Sequence, residues 1–136
     1  MNEATRAALS GGGLIDITTT GRQTGEPRRI EIAFHSIRGR LFISGMPSPR
    51  KRSWISNLEA DPRFTFHLKG AVRADLRARA RLITDEAERR SILPAVARGW
   101  NRPLEPMVAQ SPLVEVTIEE STPESEPGTE GSAEVA

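Results

Sequence analysis

Cysteine and tyrosine are both missing from the 136 residues. Without a thiol there is no disulfide framework, no thiolate nucleophile and no cysteine-ligated metal. Histidine is confined to His35 and His67. Both fall at outward positions of β-patterned segments, where a solvated surface histidine is the ordinary outcome. No paired carboxylates, no Ser-His-Asp arrangement and no metal-ligand spacing stand out, so no catalytic side chain and no metal site are assigned. Aromatics make up only 4% of the chain. No apolar run approaches the roughly 18 residues of a membrane span. The opening "MNEATRAALSGGG" lacks the apolar stretch of a secretory signal, so the expected address is the cytoplasm.

Lysine is nearly absent as well: 17 of the 19 basic residues are arginine, all but Lys51 and Lys69. The net charge of +1 hides an asymmetry, because six glutamates and no basic residue lie between Glu119 and Ala136. The first 118 residues therefore carry 19 basic against 12 acidic side chains, a net of +7. Guanidinium forks suit phosphate and carboxylate, which makes an anionic ligand worth seeking. The plainer explanation is a surface shaped by arginine-rich codon usage or by heat.

Length allows one ordered domain. The tail "EESTPESEPGTEGSAEVA" is Pro, Ser, Gly and Glu with almost nothing to bury, so residues 119–136 are expected to be a disordered acidic tail and 1–118 the folded domain. Within it, period-2 alternation dominates. Ile30, Ile32 and Phe34 alternate with Arg29, Glu31 and His35. "RGR" at 38–40 reads as a hairpin turn into "LFISG". "RFTFHLK" follows, then residues 72–83 with Val72, Ala74, Leu76, Ala78, Ala80 and Leu82 on one face, and finally "LVEVTI". Two helices interrupt the strands. "SWISNLEADP" has Ser53 as the expected N-cap and Pro62 as its stop. "TDEAERRSILPAVARGW" starts at Thr84 or Asp85, and Pro94 predicts a kink or break. A third, weaker helix is expected between residues 101 and 109. The expected fold class is mainly β (α+β), a small barrel of about six antiparallel strands with two or three short helices. So rich an apolar sheet face should also bury something beyond the barrel itself.

Two arginine-bearing loops carry what chemistry the sequence offers. "TTTGRQTGEPRR", residues 18–29, turns the chain with Gly21 and Gly25 accepting positive φ, and leaves Arg22 and Arg28 on either side. "GMPSPRKRSWISNL", residues 45–58, sets Arg50, Lys51 and Arg52 just before a helix start, where free N–H groups also favour an anion. The loops flank the same two strands, 28–37 and 40–45, so they are expected to end close together.

These two segments resemble the deazaflavin-dependent nitroreductase family. Its members share a threonine-rich strand, a Gly-Arg-x-Ser/Thr-Gly-x-Pro-Arg turn, and a later segment running from Gly-x-Pro through a basic residue to Trp, Asn-Leu and Asp/Asn-Pro. Both patterns are present in order from about Ile15 to Phe66. The resemblance implies a split β-barrel of the flavin-reductase-like superfamily, homodimeric, that binds coenzyme F-420, a deazaflavin with a phosphate and a polyglutamate tail. It also implies a nitroreductase- or quinone reductase-like enzyme, passing a hydride to a small quinone, enone or nitro compound. Carried over by position, Arg22, Arg28 and Arg50 match the family's basic residues, and Trp54 and Asn57 its helix positions. Ile30, Ile32, Ser44, Gly45 and Pro49 fall where the family lines the ring and phosphate. Lys51 and Arg52 make this loop more basic than usual, and the missing tyrosines set the chain apart from members that reduce bulky nitro compounds.

Two alternatives stay open. FMN, with a single phosphate for Arg28 and Arg50, is the second cofactor candidate. An RNA-binding barrel using the Arg73–Arg81 face is the third and weakest reading, because that strand lacks interleaved aromatics for base stacking. His35, Trp100 and Met107 are candidates for a pocket wall, with packing the more ordinary role for each.

Overall fold

The computed structural model describes residues 1–119. Six strands form: β1 Gly13–Thr20, β2 Pro27–Ile37, β3 Arg40–Ser44, β4 Arg63–Lys69, β5 Arg73–Leu82 and β6 Leu113–Ile118. They close into a barrel in the order β1-β2-β3-β6-β5-β4, every neighbouring pair antiparallel. Four helices decorate it: α1 Glu3–Gly11, α2 Ser53–Ala60, α3 Glu86–Trp100 and α4 Leu104–Gln110. The fold is thus a mixed α+β barrel, as the alternating sequence predicts, and consistent with the split barrel that the family resemblance implies.

The alternation works because inward positions are apolar on strand after strand. Ile15, Ile17, Phe34, Ile43, Phe66 and Val114 are buried in one cluster, and Phe34 meets Phe66 edge-on at 5.2 Å between ring centres. Ala78 and Ala80 are the buried positions of β5, small enough for a narrow interior. Ile30 and Ile32 share the inward face but are only half-buried. The β2–β3 turn puts Arg38 and Gly39 both in the left-handed region, φ 51° and 77°, the backbone that a tight hairpin requires.

The surplus apolar surface is covered from outside by the chain's own helices. Phe42 and Leu113 meet Ile92, Leu93, Val96 and Met107 in a second cluster between the barrel wall and α3–α4. Arg89 locks the two helices together. Its guanidinium donates to the carbonyls of Ile83 (2.9 Å), Met107 (3.1 Å), Val108 (3.0 Å) and Ser111 (2.5 Å). Desolvation lowers its pKa from the ordinary arginine value, and no carboxylate offsets that.

Several expectations are corrected. The segment before β1 forms α1, capped by the Asn2 side chain on the Thr5 N–H at 2.8 Å, and Leu9 inserts into the barrel cluster. Its signal is faint: Asn2 as cap and Ala4, Ala7 and Ala8 at helical spacing, with Leu9 its one large apolar side chain. The third helix is confirmed as α4. Pro94 does not break α3, which runs 15 residues through it. Asp85 is its N-cap, accepting from the Glu88 N–H at 2.9 Å. Ser53 is not an N-cap but the first residue of α2. Arg52 holds the cap position and no side chain caps it. The acidic tail lies outside the described residues except for Glu119, whose N–H donates to the Arg77 carbonyl at 2.8 Å.

Candidate functional site

The β1–β2 turn is built around Gly21 and Gly25. Only Gly25 has positive φ, at 75°; Gly21 matters instead for space. A Cβ there would sit 3.0 Å from the Glu26 carbonyl and 3.5 Å from Arg28 Nε. The bare backbone lets Gly21 N–H donate to Glu26 O at 2.8 Å, and Gly25 N–H to Gly21 O at 2.8 Å. The turn closes tightly and presents Arg22 and Arg28 outward, both exposed.

Behind it lies α2. Asn57, buried, accepts from the Arg22 backbone N–H at 3.1 Å and from its guanidinium at 3.3 Å, and donates to Thr19 Oγ1 at 3.1 Å. Thr19 occupies an inward position on β1, in step with Ile15 and Ile17. A buried hydroxyl at such a position demands a partner, and Asn57 supplies it while orienting Arg22.

Together these residues line a cleft of about 400 Å³ formed by Thr19, Gly21, Arg22, Gln23, Thr24, Arg28, Ile30, Ser53, Trp54 and Asn57. Neither Arg22 nor Arg28 has a carboxylate partner among the described residues. Ser53 and Trp54 open a helix that no side chain caps; the N–H groups of Ile55 and Ser56 go to the Arg52 carbonyl, and those of Ser53 and Trp54 have no partner among the described residues. Two guanidiniums and free helix N–H groups converging on one cleft suit phosphate or carboxylate.

The second basic loop opens elsewhere. Pro49, Arg50, Lys51 and Arg52 line a larger groove of about 720 Å³, walled on its other side by α3, α4 and the start of β6. Within it Lys51 pairs with Glu59 at 2.9 Å, and Arg52 donates to the Met46 carbonyl at 2.6 Å. Arg50 alone of the three keeps its guanidinium free among the described residues. The two loops do meet at the start of α2, as expected, but on opposite sides of it.

Of the residues singled out from sequence, Arg22, Arg28, Ile30, Trp54 and Asn57 come together in the cleft. Ile32, Ser44 and Gly45 line neither cavity. Ser44 is buried and donates to the Pro112 carbonyl at 2.7 Å, while Gly45 leaves room for Pro112 and Arg52. Thr19 and Ser53 were missed. A threonine continuing an Ile-x-Ile inward row was the signal for the first.

The histidines are not the solvated side chains expected. His67 is buried, 2.7 Å from Thr18 Oγ1 through Nε2 and 2.7 Å from Asp75 Oδ1 through Nδ1. Outward direction from the barrel did not mean exposure, because neighbouring strands supply polar partners. His35 packs against the Trp100 ring, 5.0 Å between centroids. Its Nε2 is buried without a hydrogen-bond partner among the described residues, and desolvation lowers its pKa. His35, Trp100 and Met107 line neither cavity.

Comparison with known proteins decides the family. Residues 2–102 match the family model of the F420H(2)-dependent quinone reductases. The chain belongs to that family. No curated protein matches it. Among solved structures, this quinone reductase family member is similar to a conserved hypothetical protein of Mycobacterium tuberculosis, with 21% identity, a TM-score of 0.64, and 88% and 82% of the two chains covered. It is also similar to an FAD-binding protein of Mesorhizobium loti, at 16% identity and TM-score 0.58, covering 88% and 91%. A candidate 5-nitroimidazole antibiotic resistance protein of Bacteroides thetaiotaomicron aligns at 14% identity and TM-score 0.64, covering 88% and 81%. At such identities these structures establish the shared barrel alone. No helix among the described residues is long and apolar enough to cross a membrane, and no group of three or more metal-ligating side chains occurs among them.

Proposed function

We propose that the chain is an oxidoreductase that uses reduced coenzyme F-420 to reduce a small electrophilic acceptor: a quinone, an activated enone or a nitro compound. One observation carries this reading beyond family membership. Arg22 and Arg28 face a cleft at an uncapped helix start with no carboxylate of the described chain to neutralise them. The donor set fits the coenzyme's phosphate and carboxylates.

When bound, the coenzyme supplies a hydride from carbon 5 of its deazaflavin ring. The chain's own residues hold and orient. Arg22 and Arg28, with the first N–H groups of α2, take the anionic groups. Asn57 fixes Arg22 through two hydrogen bonds, so little side-chain entropy is lost on binding. Ile30 and Trp54 give the cleft its apolar wall. In this reading Arg50, free among the described residues on the other side of the α2 start, would take the outer carboxylates of a long polyglutamate tail. The acceptor takes its proton from solvent, and no side chain forms a covalent bond. Catalysis in this reading is positioning and charge neutralisation.

A second cofactor reading is FMN, whose single phosphate matches the modest 400 Å³ cleft; the likeness to an FAD-binding barrel adds to it. Titration with each cofactor, followed by absorbance, separates the two. Tighter binding of F-420 is expected. The Arg28→Ala variant should bind it about 1.5–3 kcal/mol more weakly, the worth of a charge-assisted hydrogen bond, with an unchanged melting temperature. Preference for FMN replaces the cofactor, whereas no binding of either removes the reading. The homodimer implied by the family resemblance is part of this proposal, and sedimentation at micromolar concentration tests it.

A further inference from the structure

The outer wall of the barrel carries a hydrogen-bonded relay across three strands. Asp75 on β5 lies directly across from His67 on β4. On the other side of β4, Asp16 of β1 faces His67, and Thr18 stands one diagonal step along the same face. Thr18 Oγ1 is 2.7 Å from His67 Nε2, and Asp75 Oδ1 is 2.7 Å from Nδ1. A carboxylate only accepts, so the proton of the neutral ring sits on Nδ1 and Nε2 accepts from the Thr18 hydroxyl. The order is hydroxyl, imidazole, carboxylate: a nucleophile, its base and the group that orients the base. The three residues are separated by 49 and 8 positions of chain, so no local motif announces them.

Two further features suit chemistry at the hydroxyl. The imidazole is buried, its side chain 9% exposed, while Thr18 is only half-buried. A reactant therefore reaches the oxygen, and the base behind it is shielded from water. Arg29 stands directly across from Thr18 on β2. Its Nε is taken by Asp16 at 3.0 Å, but its two terminal amino groups have no partner among the described residues. They offer positive charge to an oxyanion developing beside Thr18.

We propose that Thr18 is a nucleophile for acyl transfer, with His67 as its general base and Asp75 as the positioning residue, acting on small activated esters. Thr18 Oγ forms a bond to the carbonyl carbon, its proton passes to His67 Nε2, and the bond from that carbon to the alcohol oxygen breaks. The departing alcohol takes the proton from Nε2. Water then adds to the acyl-threonine by the same path, releasing the carboxylic acid and restoring the hydroxyl. One ester and one water are consumed, and no redox partner enters. The site is separate from the cofactor cleft, because Thr18 faces outward where its neighbour Thr19 faces in. The two readings therefore stand or fall independently.

The test treats the full chain with p-nitrophenyl acetate, following p-nitrophenolate release by absorbance and the acetyl group by peptide mapping. Wild type should carry a hydroxylamine-labile acetyl group on Thr18. Thr18→Val should abolish that adduct and the turnover that passes through it, and Thr18→Ser should keep both. His67→Gln should slow acetylation of Thr18 by about 100-fold, the ordinary worth of a general base. Asp75→Asn should slow it too, and Asp75→Glu should restore part of the rate, which a purely structural role would not do. Acetyl groups confined to the lysines and the terminal amine, or equal turnover in wild type and Thr18→Val, overturn the proposal. Turnover that survives in Thr18→Val but is lost in His67→Gln overturns it as well, because the imidazole is then the nucleophile. Should His67→Gln fail to fold, Thr18→Val against Thr18→Ser, with the ring in place, still decides.

Discussion

The cleft at the β1–β2 turn and the seam between the barrel and α3–α4 both depend on arginine, and they use it in opposite ways. In the seam the guanidiniums of Arg40, Arg81, Arg89 and Arg90 are all engaged. Arg89 spends its donors on four carbonyls. Arg40 and Arg81 share Glu115, at 2.9 and 2.8 Å, and Arg81 reaches on to Glu88. Arg90 links Glu86 and Glu105 at 2.8 and 2.9 Å. At the cleft, Arg22 and Arg28 meet only an amide oxygen and solvent. The lesson is that arginine count says nothing about a binding site. What matters is whether the fold delivers a carboxylate to each guanidinium or a set of carbonyls to consume it, and at the cleft it delivers only the Asn57 amide oxygen to Arg22.

The largest expected effect separates the two regions on stability. Arg89→Ala leaves four backbone carbonyls of the α3–α4 seam without their donor, and should cost about 3 kcal/mol in a denaturant melt while leaving cofactor affinity as it was. A loss confined to binding would erase the contrast. Asn57→Ala should cost about 2 kcal/mol by stranding the buried Thr19 hydroxyl, and it should also weaken cofactor binding, because Arg22 loses its anchor. Asn57 is the one residue where both measurements are expected to move together.

Acid should affect the seam in two stages. His35 has a folded pKa held below its ordinary 6.5 by burial. The unfolded chain therefore binds the proton first, and stability starts to fall as pH drops below about 6.5. Glu115 has its carboxyl pulled down to about 2 from the ordinary 4.5, chiefly by its hydrogen bond to Arg40. Its contribution is complete above pH 4.5 and is lost as pH falls toward 2. His35→Leu should flatten the first stage and Glu115→Gln the second, read as melting temperature against pH. An unaltered profile in both variants would mean that other groups control acid stability. The smallest effect belongs to Lys51→Ala. Its pair with Glu59 is exposed on both sides, 56% and 46%, so no measurable change in stability is expected.

Much of the barrel was legible because strand periodicity is local. Five strands formed where the apolar pattern lay, with the alternation clearest on β2 and β5, while β1 was expected only as the threonine-rich strand of the family resemblance. The turn glycines, the Asp85 cap and Pro62 were equally local. Helix α1 escaped because Thr5 and Leu9 are its only buried residues, too few to imprint a period. The cap of α2 was misplaced by one residue because Ser53 has the right chemistry, but the chain enters the helix at Arg52.

The sequence by itself pointed to an anion as the ligand to look for and to two arginine-bearing loops as candidates for it, since glycine, proline and arginine at fixed spacing act within a few residues. Tertiary structure alone decided which arginines stay free. Arg40 finds Glu115 across 75 positions of chain, and Arg22 finds Asn57 across 35. Such pairings depend on which strands become neighbours as the barrel closes. Ion pairs and hydrogen bonds act over a few ångströms in space, without regard to distance along the chain, so the split of the basic residues into a neutralised seam and an open cleft exists only in the folded molecule.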